Sequence, residues 1–182
     1  MKVKTSQLVR RAMMLLDEDL EELELAQTFG DPGMELRQLA SELVEEAVTK
    51  TLTDAEPDSV DETQILDTSR AVTRPDGTVE AELPADWLRP VDIMMEGWDR
   101  PLHDYREAQP VTRQLTLPGA RILRRDGRRL LAVTPGTAGN GALRVEYLPR
   151  PDTTGATVWI PRSLVNAAAR QLADMVKAVV TD

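Results

Sequence analysis

Apolar residues recur at helical spacing through the first fifty positions and switch to strand-like alternation beyond about residue 65. Leu8, Ala12, Leu16, Leu20 and Leu23 fall at intervals of three and four on one face, opposite Glu18, Glu21 and Glu22. That spacing predicts an amphipathic helix, which Thr5 or Ser6 can cap. Phe29-Gly30-Asp31-Pro32 ends it and begins the next: Gly30 suits the position after a helix, Asp31 an N-cap and Pro32 a first helical turn. From about Pro32 to Leu52, Leu36, Leu39/Ala40, Leu43/Val44 and Ala47/Val48 mark a second amphipathic helix. The short connection between the two predicts an antiparallel hairpin. Thr53 to Gln64 is polar, acidic and broken by Pro57, which suits a linker.

Alternation then takes over. Arg70 to Thr73 and Val79 to Leu83 flank Arg74-Pro-Asp-Gly-Thr78, a hairpin turn in which proline presets φ and Gly77 takes the positive φ. In the stretch Leu83 to His103, Val91, Ile93 and Met95 alternate with Asp92, Met94 and Glu96, which predicts a half-buried strand, a tight turn at Gly97 and a second short strand. Pro84, Pro90 and Pro101 bracket it, because proline lacks the ladder donor. Asp104 to Arg113 reads as irregular or a short helical turn that Pro110 ends. Ala120 to Arg124, Arg129 to Thr134 and Ala142 to Leu148 form a meander, turning at Asp126-Gly127 and then through the glycine-rich Pro135 to Gly141. From Pro161 onward Leu164, Ala168, Leu172, Met175 and Val179 recur at helical spacing, a closing helix of about five turns.

The expected class is α+β. An N-terminal antiparallel helix hairpin and acidic linker occupy residues 1–64, and a central antiparallel β-sheet or small β-sandwich of short strands occupies 65–152. A C-terminal helix in 153–182 packs back on the helices and forms one folding unit with 1–64.

Composition narrows the chemistry. Aromatics make up only 3% of the 182 residues, so the core is built of Leu, Val, Ala and Met. With no cysteine, disulfides, thiolate metal sites and a cysteine nucleophile are excluded. No apolar run approaches the roughly 18 residues of a membrane span, and the N-terminus lacks a signal-peptide core, so a soluble protein made in a cytoplasm is expected. The net charge of −9 is uneven: residues 1–66 hold 16 acidic and 6 basic residues, and residues 67–182 hold 15 and 16. Acid in the N-terminal third argues against its gripping a phosphate backbone, which needs several cations, and favours a solvated face on the two helices.

His103 is the sole histidine, which removes most triad, general-base and imidazole-metal designs and leaves a structural or exposed role. Asp17, Glu18, Asp19, Glu21 and Glu22 lack the spacing of a calcium loop and read as helix surface. Gly136 to Gly141 lacks the helix and Lys-Ser or Lys-Thr that a phosphate loop requires, so it reads as a hairpin loop. Arg121, Arg124, Arg125, Arg128 and Arg129 form one basic cluster around Asp126-Gly127. It is either a solvated or protein-facing turn or a contact for nucleic acid, for which interleaved aromatics are missing. Trp87, Trp98 and Trp159 flank the β region and serve either core or interface. No catalytic, metal-binding or cofactor-binding residue stands out.

The order of Leu83-Pro-Ala-Asp-Trp-Leu-Arg-Pro-Val91, the turn Gly97-Trp98-Asp99-Arg100-Pro101-Leu102, the segment Leu143-Arg-Val-Glu-Tyr-Leu-Pro-Arg-Pro151 and a helix opened by Pro161 resembles the head-to-tail adaptor (connector) proteins of tailed bacteriophages and prophages. The resemblance implies a structural protein of the virion, made in the host cytoplasm and placed at the head-tail junction. It would form a ring, commonly of twelve copies, that docks on the portal protein and meets a downstream tail or stopper protein. DNA would pass through its channel without sequence-specific binding, repelled by acidic surface, and no enzyme activity, metal, cofactor or membrane would be involved. The strand pair around Trp98 and the C-terminal helix become candidates for ring and portal contacts, with Trp87, Trp98, Arg100 and Tyr105 on the first side and Trp159, Arg162 and Arg170 on the second. The runner-up reading is a nucleic-acid-binding accessory protein that uses the Arg121 to Arg129 hairpin.

Overall fold

The computed structural model describes residues 1–20, 32–103, 106–107, 118–137, 139, 141–152 and 155–181. It is a mixed α+β structure with three helices and antiparallel sheets, and it divides into two compact units. One joins Met1–Glu62 to Arg150–Asp182, and the other is Thr63–Pro149.

In the first unit, α1 (Thr5–Leu20), α2 (Pro32–Asp54) and α3 (Val165–Thr181) contact one another pairwise. Leu8, Ala12 and Leu16 are buried, joined by Val9 and Met13. From α2 the core takes Ala40, Val44, Ala47, Val48 and Leu52, while Leu36, Leu39 and Leu43 are half-buried along its margin. Thr51 is buried without cost to its hydroxyl, which donates to the carbonyl of Ala47 at 2.8 Å. The predicted turn at Gly30-Asp31 lies outside the described residues, as do Leu23 and the charges at 21 and 22. The buried stripe starts at Leu164, just before α3, and continues along it through Val165, Ala168, Ala169, Leu172, Ala173 and Val176. Val179, expected to extend it, lies on the same side of the helix as Ala168 and Leu172 but is 55% exposed in the last turn of α3.

In this unit two short strands escape sequence reading. β1 (Lys2–Lys4) pairs antiparallel with β10 (Thr157–Trp159), setting buried Val3 opposite buried Val158. Three residues are too few to establish an alternation, and only the pairing reveals them. Thr5 is already helical, and its hydroxyl donates to the carbonyl of Ala156 at 3.3 Å.

The second unit contains β2 (Gln64–Ile65), β3 (Val72–Thr73), β4 (Val79–Glu82), β5 (Trp87–Met95), β6 (Arg106–Glu107), β7 (Gly119–Arg125), β8 (Arg128–Thr134) and β9 (Leu143–Pro149). They form a sheet of order β2-β9-β5 and another of order β3-β4-β8-β7-β6. Both contribute to one apolar cluster that includes Ala81, Trp87, Ile93, Met95, Trp98, Ile122, Leu131, Val133, Val145 and Tyr147.

Several expectations are corrected here. The meander breaks after β8: β8 already has β4 and β7 on its two sides, so β9 pairs instead with β2 and β5. Pro135 to Gly141 is therefore a crossing between sheets and not a hairpin loop. Gly139 answers to close packing, since a Cβ there would lie 2.5 Å from the Trp98 indole nitrogen and 2.8 Å from the Pro135 carbonyl oxygen. Pro90 does not bracket β5 but sits inside it, opposite Tyr147. Register shifts between Trp87 and Arg89 and between Pro90 and Asp92, and β5 is an edge strand, the two settings in which a missing N–H is tolerated. The second strand after Gly97 shrinks to a single bridge between Leu102 and Ile93. Finally, β6 lies in the segment read as irregular and pairs parallel to β7, so the sheets are not antiparallel throughout. A parallel pair needs a long connection, which the chain from Glu107 to Gly119 supplies.

Candidate functional site

The β7–β8 hairpin sets out the basic cluster. Asp126 and Gly127 both have positive φ, 51° and 76°, the geometry of a two-residue hairpin turn whose twist matches its strands. Register pairs Arg124 with Arg129 and Arg125 with Arg128. Side chains alternate across a strand, so Arg121, Arg125 and Arg128 share one face of the sheet while Arg124 and Arg129 share the other. The latter is the face on which Ile122 and Leu131 are buried. Arg124, Arg125 and Arg128 are exposed, and Arg121 and Arg129 are half-buried. What the sequence shows as one cluster is two, back to back.

The first face carries its own counter-charge. Glu80 on β4 is 6% exposed, and its Oε2 accepts from Arg74 Nε at 2.8 Å, Arg74 Nη2 at 2.5 Å and Arg125 Nη1 at 2.8 Å. Donation from Arg74, reinforced by the charges of Arg125 and Arg74, holds the Glu80 carboxyl below the usual glutamate range although burial pushes the other way. Arg128 lies 3.5 Å from Glu82 on the same strand. Around Glu80 an open hollow of about 460 Å³ is lined by Arg74, Asp76, Thr78, Arg121, Leu123 and Arg125. Sequence reading passed over Arg74 and Glu80. The signal was present in the hairpin register, where Arg74 N donates to Thr78 O at 2.8 Å and Glu80 follows on the returning strand.

The second face is different. Arg124 and Arg129 are like charges set directly across from each other, and no ion pair relieves them among the described residues. Like charges in that position are destabilising by a few tenths of a kcal/mol or more.

The tryptophans divide. Trp87 is fully buried and stacks on Tyr147 with ring centroids 5.0 Å apart. Trp98 is buried too, its indole N–H donating to Pro135 O at 2.7 Å. Both rings fill the core of the second unit, while Trp159 in the first unit is half-buried on β10. Arg100, Arg162 and Arg170 are exposed, and Tyr105 lies outside the described residues. Trp159, Arg162 and Arg170 belong to the first unit and Trp87, Trp98, Arg100 and the arginine hairpin to the second. His103 Nδ1 sits 2.9 Å from Asp92 Oδ1 and 3.1 Å from Val91 O, at the rim of β5.

Among the described residues no group of three or more histidine or carboxylate side chains is placed to hold a metal, and no helix is long and apolar enough to cross a membrane. The arrangement offers charge recognition through arginine forks. No protein-family model, no curated protein and no solved structure matches the chain.

Proposed function

We propose that the chain is a structural virion protein, a head-to-tail adaptor that forms a ring between portal and tail and continues the DNA channel. The observation that carries this reading is where the motifs behind the resemblance fall. Leu83-Pro-Ala-Asp86 leads into β5 at Trp87, Gly97 turns with a φ of 93°, Leu143 to Pro149 is β9, and Pro161 precedes α3. In this reading α1 and α2 are an antiparallel hairpin on which α3 packs back, and the β unit is a small sandwich. Its partners are further copies of itself, twelve in the usual ring, the portal protein, a downstream tail or stopper protein, and DNA that slides past without sequence-specific contact. It is not an enzyme, holds no cofactor, and works at the head-tail junction after synthesis in the host cytoplasm.

Light scattering and negative-stain imaging of the purified chain, alone and mixed with the portal protein of the same genome, test this. A ring, or a monomer that becomes one on the portal, supports the adaptor. A monomer that ignores the portal sinks it.

The exposed arginines of the hairpin favour one second reading, a nucleic-acid-binding accessory protein. Salt-dependent DNA binding abolished by Arg124→Ala with Arg125→Ala supports that alternative, and absence of binding at low salt ends it.

A further inference from the structure

Charge in this chain is segregated by unit. Residues 63–149 hold 12 acidic and 12 basic side chains, whereas residues 1–62 with 150–182 hold 19 acidic and 10 basic, so the whole excess of −9 belongs to the helical unit. Within it, Glu42 and Glu46 stand one turn apart on α2, both exposed. Glu42 accepts from the Gln38 amide at 3.2 Å, and among the described residues neither carboxylate forms an ion pair. Carboxylates so placed repel each other along a helix. They are the counterpart of Arg124 and Arg129, which repel each other across the β7–β8 hairpin.

We propose that these two pairs are the halves of one contact between copies, in which Arg124 and Arg129 of one molecule grip Glu42 and Glu46 on α2 of the next. Three features point to it. The spacings agree: side chains four apart on a helix stand about 5–6 Å from each other at Cβ, and directly paired cross-strand residues about 4.5–5.5 Å. Guanidinium forks match carboxylates in shape, and each Arg–Glu pair formed relieves a like-charge repulsion on both partners. The charges are also free to meet, since Arg124, Glu42 and Glu46 are exposed in the single chain and Arg129 is half-exposed. The two patches are different surfaces of the molecule, so the contact is heterologous and repeats head to tail; it closes into a ring or runs on as a filament. DNA phosphate is the weaker occupant, because the hairpin tip carries no aromatic side chain on which bases could stack.

The inference deepens the adaptor reading by assigning the ring contact. It is tested with the full-length chain by sedimentation velocity at about 50 mM and 500 mM salt, ionic strengths at which screening of exposed charges differs severalfold. The wild type is expected to self-associate at low salt and to lose most of that at high salt. Arg124→Glu with Arg129→Glu, and separately Glu42→Arg with Glu46→Arg, each reduce it at least tenfold. A mixture of the two double variants assembles again with the two kinds of copy alternating, since one junction is the native Arg–Glu pair and the next its reversal, and the variant carrying all four reversals assembles again by itself. Circular dichroism and thermal melting establish folding, and the α2 reversals decide the matter should the hairpin variant unfold. Association unaffected by either double variant, no rescue by the fourfold reversal, or a wild type monomeric at both salts overturns the contact. So does DNA binding that needs Arg124 and Arg129 in a chain that never self-associates. Rings that survive both double variants sink the contact and leave the adaptor reading; open filaments that both variants abolish do the reverse.

Discussion

The indole N–H of Trp98 donates to the carbonyl oxygen of Pro135 at 2.7 Å, tying the turn after β5 to the start of the crossing between β8 and β9. Pro135 O also accepts from Gly139 N at 3.2 Å, so one oxygen gathers the turn and the crossing together.

Trp98→Phe is therefore expected to lower stability by about 1–2 kcal/mol through the lost hydrogen bond. Gly139→Ala should cost about 1–3 kcal/mol, because its methyl would meet the indole and a backbone oxygen that cannot both retreat. Urea unfolding followed by tryptophan fluorescence reads both, and an unchanged midpoint for Gly139→Ala would contradict the close packing.

Glu80 gives the second unit a pH dependence of definite sign. Its folded pKa is depressed, so its contribution is fully present above the ordinary glutamate value of about 4.3 and fades as pH falls through the lower folded value. Glu80→Gln should lower stability at pH 7 by about 1–3 kcal/mol, the loss expected for hydrogen bonds to a charged group. The gap between the two proteins should shrink steadily in melts taken from pH 5 down to pH 2. A gap independent of pH would mean that charge is not what Glu80 supplies.

The hairpin turn is the third test. Asp126 holds a φ of 51°, tolerable for aspartate and strained for a β-branched residue. Asp126→Val is expected to cost about 1–2 kcal/mol, whereas Asp126→Gly should be neutral or slightly stabilising. Thermal midpoints separate them, and equal midpoints would argue against the positive φ.

Trp87, fully buried against Tyr147, anchors a core that belongs to residues 63–149. Trp87→Ala should cost about 3–5 kcal/mol. Hydrogen exchange should show the protection of β4, β5, β8 and β9 falling together, while amides near Ala12, Val48 and Leu172 in the helices keep theirs. Equal loss in both regions would show the two units to unfold as one.

The sequence by itself determined the local elements. Three helices stand where apolar residues recur at 3.6, and strands where they alternate at 2, because each period reflects the geometry of one segment and needs no partner. It also determined the Pro-Asp-Gly and Asp-Gly turns, whose φ values follow from residue type. Tertiary structure alone decided which strand lies beside which. Alternation says which side of a strand faces the core but not what it pairs with, so the departure of β9 from β8 and the pairing of β1 with β10 left no trace in any single segment. The same holds for the arginines: five cations in nine residues are visible as a run, but only cross-strand register splits them into three on the face of Glu80 and Glu82, of which Arg125 and Arg128 pair with those carboxylates, and two, Arg124 and Arg129, with no counter-charge among the described residues.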